Sequence, residues 1–126
     1  MKTSPKRRPL VETQACARAD AALVRAFDLL GKRWTGVVLG TLSAGATGFR
    51  ALSRAIEGIS DSMLSDRLSA LTNAGLVTRT VDEGPPLSVA YALTDAGRAL
   101  LPALDQISRW AEEYLPSADA AGAGGQ

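Results

Sequence analysis

The stretch from Gly58 to Arg79 constrains this chain more than any other. It runs Gly58-Ile59-Ser60-Asp61-Ser62-Met63-Leu64-Ser65-Asp66-Arg67-Leu68-Ser69-Ala70-Leu71-Thr72-Asn73-Ala74-Gly75-Leu76-Val77-Thr78-Arg79. Its order is a turn, a capped short helix, a glycine stop and a β-strand. Ser60 is an N-cap residue, because its hydroxyl accepts from a free N–H of the first turn. Asp61 puts negative charge where the helix dipole favours it. Leu64, Leu68 and Leu71 recur at helical spacing and form one apolar face. Gly75 takes a left-handed C-cap without a Cβ penalty, and Leu76 leaves in β.

The elements around this stretch follow from the same rules. A first helix is expected from about Ala17 to Leu30, ended by Gly31. A second starts near Lys32 and buries Trp34, Val38 and Leu42. Gly45-Ala46-Thr47-Gly48 is a turn. A third helix from Phe49 to about Glu57 packs Phe49, Leu52 and Ile56 inward, and sets Arg50 and Arg54 at i,i+4 spacing on the opposite face. Two strands, Leu76–Val81 and Val89–Leu93, flank Asp82-Glu83-Gly84-Pro85-Pro86, a hairpin loop that cannot be helical. Thr94 caps a long last helix whose apolar stripe is Leu100, Leu101, Leu104, Ile107 and Tyr114. Pro102 inside that stripe predicts a bend or a break. The expected fold is mainly α with a small β-hairpin wing, the order of a winged helix-turn-helix, which sets one helix into the DNA major groove. Residues 1–12 are expected as a flexible basic arm, 13–116 as the folded domain and 117–126 as a disordered Ala/Gly-rich tail.

Composition removes several classes of function. The chain has 126 residues, 46% of them hydrophobic, enough for one domain with one core. It contains no histidine and one cysteine, Cys16. The commonest general base is therefore missing, a Ser-His-Asp or Cys-His enzyme is excluded, and one chain cannot build a Cys/His zinc site. No Walker loop or dinucleotide fingerprint occurs, so neither cofactor nor metal is expected. No apolar run spans a bilayer and the basic N-terminus lacks a signal peptide's apolar core, so the expectation is a cytoplasmic protein with no membrane partner. The net charge is only +1. Its distribution is uneven, however: Lys2, Lys6, Arg7 and Arg8 cluster without acids, as do Lys32, Arg33, Arg50 and Arg54. Local patches rather than the total govern phosphate binding.

Four stretches together resemble one family. They are Leu29-Leu30-Gly31-Lys32-Arg33-Trp34, Gly58-Ile59-Ser60 through Leu64, Asp66-Arg67-Leu68 through Gly75-Leu76-Val77, and Tyr91-Ala92-Leu93-Thr94-Asp95-Ala96-Gly97-Arg98. They are similar to the HxlR-type winged helix regulators of bacteria, relatives of the MarR group, over about residues 17–115. The resemblance implies a homodimer joined through the first and last helices. It also implies a regulator of transcription bound to an inverted repeat in double-stranded DNA. Some members of such a family sense quinones, hypochlorite or aldehydes through a cysteine. This chain departs from the pattern at three places. Asp20-Ala21 stands where sensor members carry Cys-Pro, Gly48 where a basic residue precedes the third helix, and Leu87 where the wing often carries Lys or Arg.

The candidate residues follow. Ser62, Met63, Ser65, Asp66 and Ser69 form the outward side and flanks of the Ser62–Asn73 helix and are the expected base readers, since hydroxyls and a carboxylate meet base edges by hydrogen bonds. Lys32, Arg33, Arg50, Arg54, Arg67 and Arg79 are the expected phosphate contacts. Cys16 lies near a helix start with Arg18 close by, a setting that lowers a thiol pKa, and is the candidate sensor of an electrophile. Phe27, Trp34, Leu104, Ile107, Trp110 and Tyr114 are candidates for the dimer interface or for a cleft holding a small aromatic effector. The rival reading is a winged helix that binds protein and not DNA.

Overall fold

The computed structural model describes the backbone of residues 10–115 and 117, and the side chains from residue 20 onward. Along the chain come helix α1 (Leu10–Leu30), α2 (Thr35–Thr41), a single 3-10 turn at Leu42–Ala44, strand β1 (Thr47–Gly48), α3 (Phe49–Ala55), α4 (Asp61–Asn73), β2 (Val77–Asp82), β3 (Ser88–Leu93) and α5 (Asp95–Tyr114). The strands form an antiparallel sheet in the order β1-β3-β2. This is the mainly helical fold with a hairpin wing that the sequence predicts.

Helix α4 starts and stops for the reasons its sequence contains. The Met63 N–H donates to Ser60 Oγ at 3.1 Å, closing the N-cap. At the other end Gly75 has φ 83°. Its N–H donates to the Thr72 carbonyl at 3.1 Å, and the Leu76 N–H reaches the Leu71 carbonyl at 3.0 Å. That pair of bonds is the Schellman stop, which satisfies carbonyls the helix leaves open. Leu64, Leu68 and Leu71 are buried against Val38, Leu39, Leu42, Leu52, Ile56, Val77 and Leu93. Each such side chain stabilises the fold by about 1.5–3 kcal/mol relative to exposure, so this leucine face fixes which side of α4 looks outward.

Thr94 caps α5, accepting from the Gly97 N–H at 3.1 Å. Gly97 is buried, and a Cβ there would run into the Leu76 carbonyl. The last helix therefore crosses the exit of α4 at a distance only glycine allows.

Four local expectations are corrected. Helix α1 begins at Leu10, so residues 10–12 are helical and not part of an arm. No proline or glycine lies between Leu10 and Leu30, and the segment is rich in alanine, the best helix former. Helix α2 begins at Thr35 and not at Lys32, because Trp34 sits at φ 79°, which no helix interior accepts. The Thr47–Gly48 turn carries a two-residue strand paired with Tyr91 and Ala90. Helix α5 runs through Pro102 without a break. The missing N–H costs one hydrogen bond, while Leu100, Leu101 and Leu104 on both sides of it pack on the core.

Candidate nucleic-acid interface

The two helices of the helix-turn-helix are tied together at their junction. The Arg50 guanidinium of α3 pairs with Asp61 Oδ2 at 3.0 Å. Ser53 Oγ donates to the other oxygen of the same carboxylate at 3.2 Å. Asp61 opens α4, so one acid both complements the helix dipole and holds α3 beside it.

The outward face of α4 carries Ser62, Ser65, Asp66 and Ser69, all exposed. Four of the five expected base readers thus share one open surface. Met63 is half-buried, and its Sδ lies 3.3 Å from Arg67 Nε. Arg67, expected at a phosphate, is folded inward: its side chain is 12% exposed, and a terminal nitrogen pairs with Asp66 at 3.2 Å. The turn spacing that brings Arg67 over Met63 gives the guanidinium two intramolecular partners and takes it off the cationic surface.

The remaining cations are exposed. Arg54 lies on the outer side of α3, and among the described residues no carboxylate reaches ion-pair distance of it. Lys32 and Arg33 lie in the turn between α1 and α2 and do not open a helix. The Arg33 guanidinium stacks over the Trp34 ring, 4.9 Å from its centroid. That ring packs at Gly58, where a Cβ would lie 3.5 Å from it. Arg33 is thereby held near the turn that precedes α4. Arg79 is exposed on β2.

Trp34 is half-buried, packs against the core and lies with its ring at the turn that precedes α4. The other apolar candidates divide. Leu104 and Ile107 line a groove of about 570 Å³ between α2 and α5, together with Gly36, Val37 and Gly40. Trp110 and Tyr114 lie farther along α5, with ring centroids 6.2 Å apart, and both are exposed. Phe27 sits on exposed α1 beside Leu23 and Val24. Cys16 falls within α1, but its side chain, like the basic cluster at Lys2–Arg8 and the tail after Ser117, lies outside the described residues.

Two further residues join the α4 surface, Asn73 from the outward face expected of the helix and Tyr91, which was not among the candidate residues. Asn73, on its last turn, and Tyr91, on β3, line a groove with Ser65, Ser69 and Arg79. The hairpin register pairs Tyr91 with Arg79. That pairing was readable from the strand alternation once the loop was placed.

The model of the HxlR-like helix-turn-helix family matches residues 29–119, most of the chain. The chain belongs to the HxlR-like helix-turn-helix family. It is 36% identical to the HTH-type transcriptional regulator YvaP of Bacillus subtilis, over 82% of this chain and 93% of that protein. It is also 36% identical to the regulator YodB of the same organism, over 75% of this chain and 84% of YodB. The reduced form of YodB superposes with a TM-score of 0.69 at 35% identity, covering 75% of this chain and 93% of that one. YodB is also solved diamide-treated and quinone-bound. The redox regulator HypR in its oxidized form gives a TM-score of 0.70 at 29% identity, over 76% of this chain and 99% of HypR. Members of this HxlR-like family are transcriptional regulators and not enzymes, and this chain is a transcriptional regulator with a winged helix-turn-helix. Among its described residues no helix is long and apolar enough to cross a membrane.

Proposed function

We propose that the protein is a homodimeric repressor that binds a pseudo-palindromic operator. Each protomer sets the Ser62–Ser69 surface of α4 into one major groove. The observation that carries this reading is the hydroxyl-rich outward face of α4 flanked by the exposed cations of α3. Arg54 and Arg50 attract phosphates, while Ser65 and Ser69 meet base edges; the first kind of contact positions the protein and the second specifies sequence. Exposed apolar side chains on α1 and α5, among them Phe27, Leu23, Trp110 and Tyr114, supply the surface through which two copies join. Half-sites then lie one or two helical turns apart.

A thiol-reactive or small aromatic effector changes the spacing of the two α4 helices. The support is the likeness to YodB, solved quinone-bound, and to HypR, named a redox regulator. Cys16 on α1 is the candidate sensor thiol in the chain, and the α2–α5 groove is the candidate seat for an aromatic ligand.

The test is fluorescence-anisotropy binding to DNA from upstream of the protein's own gene, at two salt concentrations, with reduced and oxidant-treated protein. Tight binding that weakens with salt supports the repressor, because phosphate contacts release counterions. A response to oxidant that Cys16→Ser abolishes assigns the thiol; tight binding that is indifferent to oxidant moves the effector to the groove. The rival, a protein-binding winged helix, draws on the wing tip, where Val81 and Leu87 are exposed beside Asp82 and Glu83. Failure to bind any duplex would favour it.

A further inference from the structure

Between α4 and the wing lies a trough of about 370 Å³. Its α4 wall is Ser65, Ser69 and Asn73, and its sheet wall is Arg79 and Tyr91. The sheet places that second wall by register. Arg79 and Tyr91 are directly opposed across β2 and β3, two residues beyond the opposed pair Val77 and Leu93. Alternate residues of a strand share a face. Val77 and Leu93 are buried in the core, so the face turned toward α4 emerges from the core at Arg79 and Tyr91. Tyr91 is half-buried, packs against the core and also lines the trough, a setting that suits a tyrosine with one apolar side and one polar end.

The chemistry of the lining is one-sided. No carboxylate contributes to it. Arg79 is the one cation between Val77 and Leu93, and among the described residues it has no ion-pair partner. Ser69, Asn73 and Tyr91 add neutral O–H and N–H donors. Thr72 also lines the trough, but its hydroxyl is already committed to the Leu68 carbonyl at 2.7 Å. A permanent guanidinium among neutral donors, without an acid, is built for an oxyanion, and the planar fork of arginine matches two phosphate oxygens at once.

We propose that this trough seats a backbone phosphodiester of the bound DNA strand, with Arg79 pairing with its charge and Tyr91 and Asn73 donating to its oxygens. The inference rests on the DNA-binding reading above and extends it to Asn73 and Tyr91, as positioning residues. The trough is continuous with the outward face of α4: Ser65 and Ser69, read as base contacts, form its rim. A phosphate held there fixes how deep α4 sits and which base step those serines meet. The continuity also selects a strand over a free phosphate compound, which would use the same donors but has no need of the adjoining face.

The test is a methylphosphonate scan. Duplexes carrying the upstream site are made with one phosphate at a time replaced by the uncharged methylphosphonate, and affinities are measured for wild type, Arg79→Ala and Tyr91→Phe. On unmodified DNA, Arg79→Ala is expected to lower the slope of log K against log salt by about 0.9, one phosphate's worth. Tyr91→Phe keeps the ring on the core and is expected to weaken binding roughly 3–10-fold, the loss of one hydrogen bond, with the slope unchanged. Both losses should disappear at one and the same methylphosphonate position. Wild-type binding with losses that persist at every position overturns the phosphate seat and leaves the DNA reading standing. Wild type that binds no duplex overturns both. A calorimetric titration with inorganic phosphate supplies the last arm: submillimolar binding lost in Arg79→Ala, together with a flat scan, would assign the trough to a free anion.

Discussion

The Thr94 hydroxyl donates to the Gly75 carbonyl across 2.7 Å, which fastens the start of α5 to the exit of α4. The same oxygen accepts from the Gly97 N–H, so one side chain closes one helix and caps the next. Thr94→Val keeps the branched shape and removes both bonds. The expected loss is about 1–2 kcal/mol of folding stability, most of it from the cap, since the Gly75 carbonyl is exposed and water can replace its partner. Urea denaturation of the two proteins measures it. A change of only a few tenths would show that the cap contributes nothing here.

Gly97→Ala opposes two effects of different size. Alanine in a helix interior favours folding by about 1 kcal/mol over glycine. The new methyl, however, would run into the Leu76 carbonyl, a backbone atom held in place because it also accepts from the Thr94 N–H at 3.0 Å. Overpacking of that kind costs about 1–3 kcal/mol and more where backbone must move. The net expectation is destabilisation, read as a lower denaturation midpoint at an unchanged m-value. A more stable variant would mean that α5 is free to shift away from Leu76.

The parts of this molecule that were legible in its sequence are those whose cause is local. Ser60, the three leucines and Gly75 define α4 within one stretch, and Thr94 announces α5. What escaped depends on partners distant in sequence or on a single backbone choice. Strand β1 is too short for any periodicity and exists through its pairing with Tyr91 and Ala90. The helical pattern runs smoothly through Lys32 and Arg33, and only the left-handed Trp34 delays α2. Arg67 looks like a surface cation on a helical wheel, but a long side chain can fold back, and here it finds Met63 and Asp66. The role proposed for Tyr91 depends on which face of the hairpin meets α4, which the buried Val77–Leu93 pair decides.

Asp61→Asn separates affinity from stability. The carboxylate holds Arg50 and Ser53, and it also places negative charge at the end of α4 proposed to enter DNA. Neutralising it frees Arg50 for phosphate and removes a repulsion. DNA binding is expected to tighten several-fold, with a steeper salt dependence. Folding is expected to weaken by about 1 kcal/mol or less, because both the helix-dipole term and an exposed ion pair are small. Anisotropy at two salt concentrations and a urea titration check the two parts. Weaker binding would mean that the Asp61 tether is what orients Arg50.

Arg54→Ala and Ser65→Ala should fail in different ways. Arg54 has no ion-pair partner among the described residues, so its removal leaves nothing unpaired in the protein and subtracts one phosphate contact. Every duplex should lose affinity about equally, with a shallower salt slope. Ser65→Ala should lose affinity for the preferred base pair by about 1–3 kcal/mol at most and little for its variants. Measuring both proteins on a panel of single-base-pair changes distinguishes them. An equal loss across the panel for Ser65→Ala would remove it from the base readers.

The apolar end of α5 gives the dimer its test. Trp110 is 53% exposed and Tyr114 62% in the single chain, with their rings stacked obliquely at 6.2 Å. Covering a large side chain stabilises by about 1.5–3 kcal/mol, and a two-fold interface repeats each contact, so one substitution acts twice. Trp110→Glu should therefore produce a monomer at concentrations where wild type sedimentates as a dimer. The thermal midpoint provides a second readout. Wild type should melt higher as its concentration rises, since association stabilises only folded chains, whereas the variant should melt at one temperature throughout. On DNA the monomer should bind single half-sites and lose most of its affinity for the paired operator. A Trp110→Glu protein that remains dimeric would move the interface away from this end of α5, toward the exposed Leu23, Val24 and Phe27 of α1.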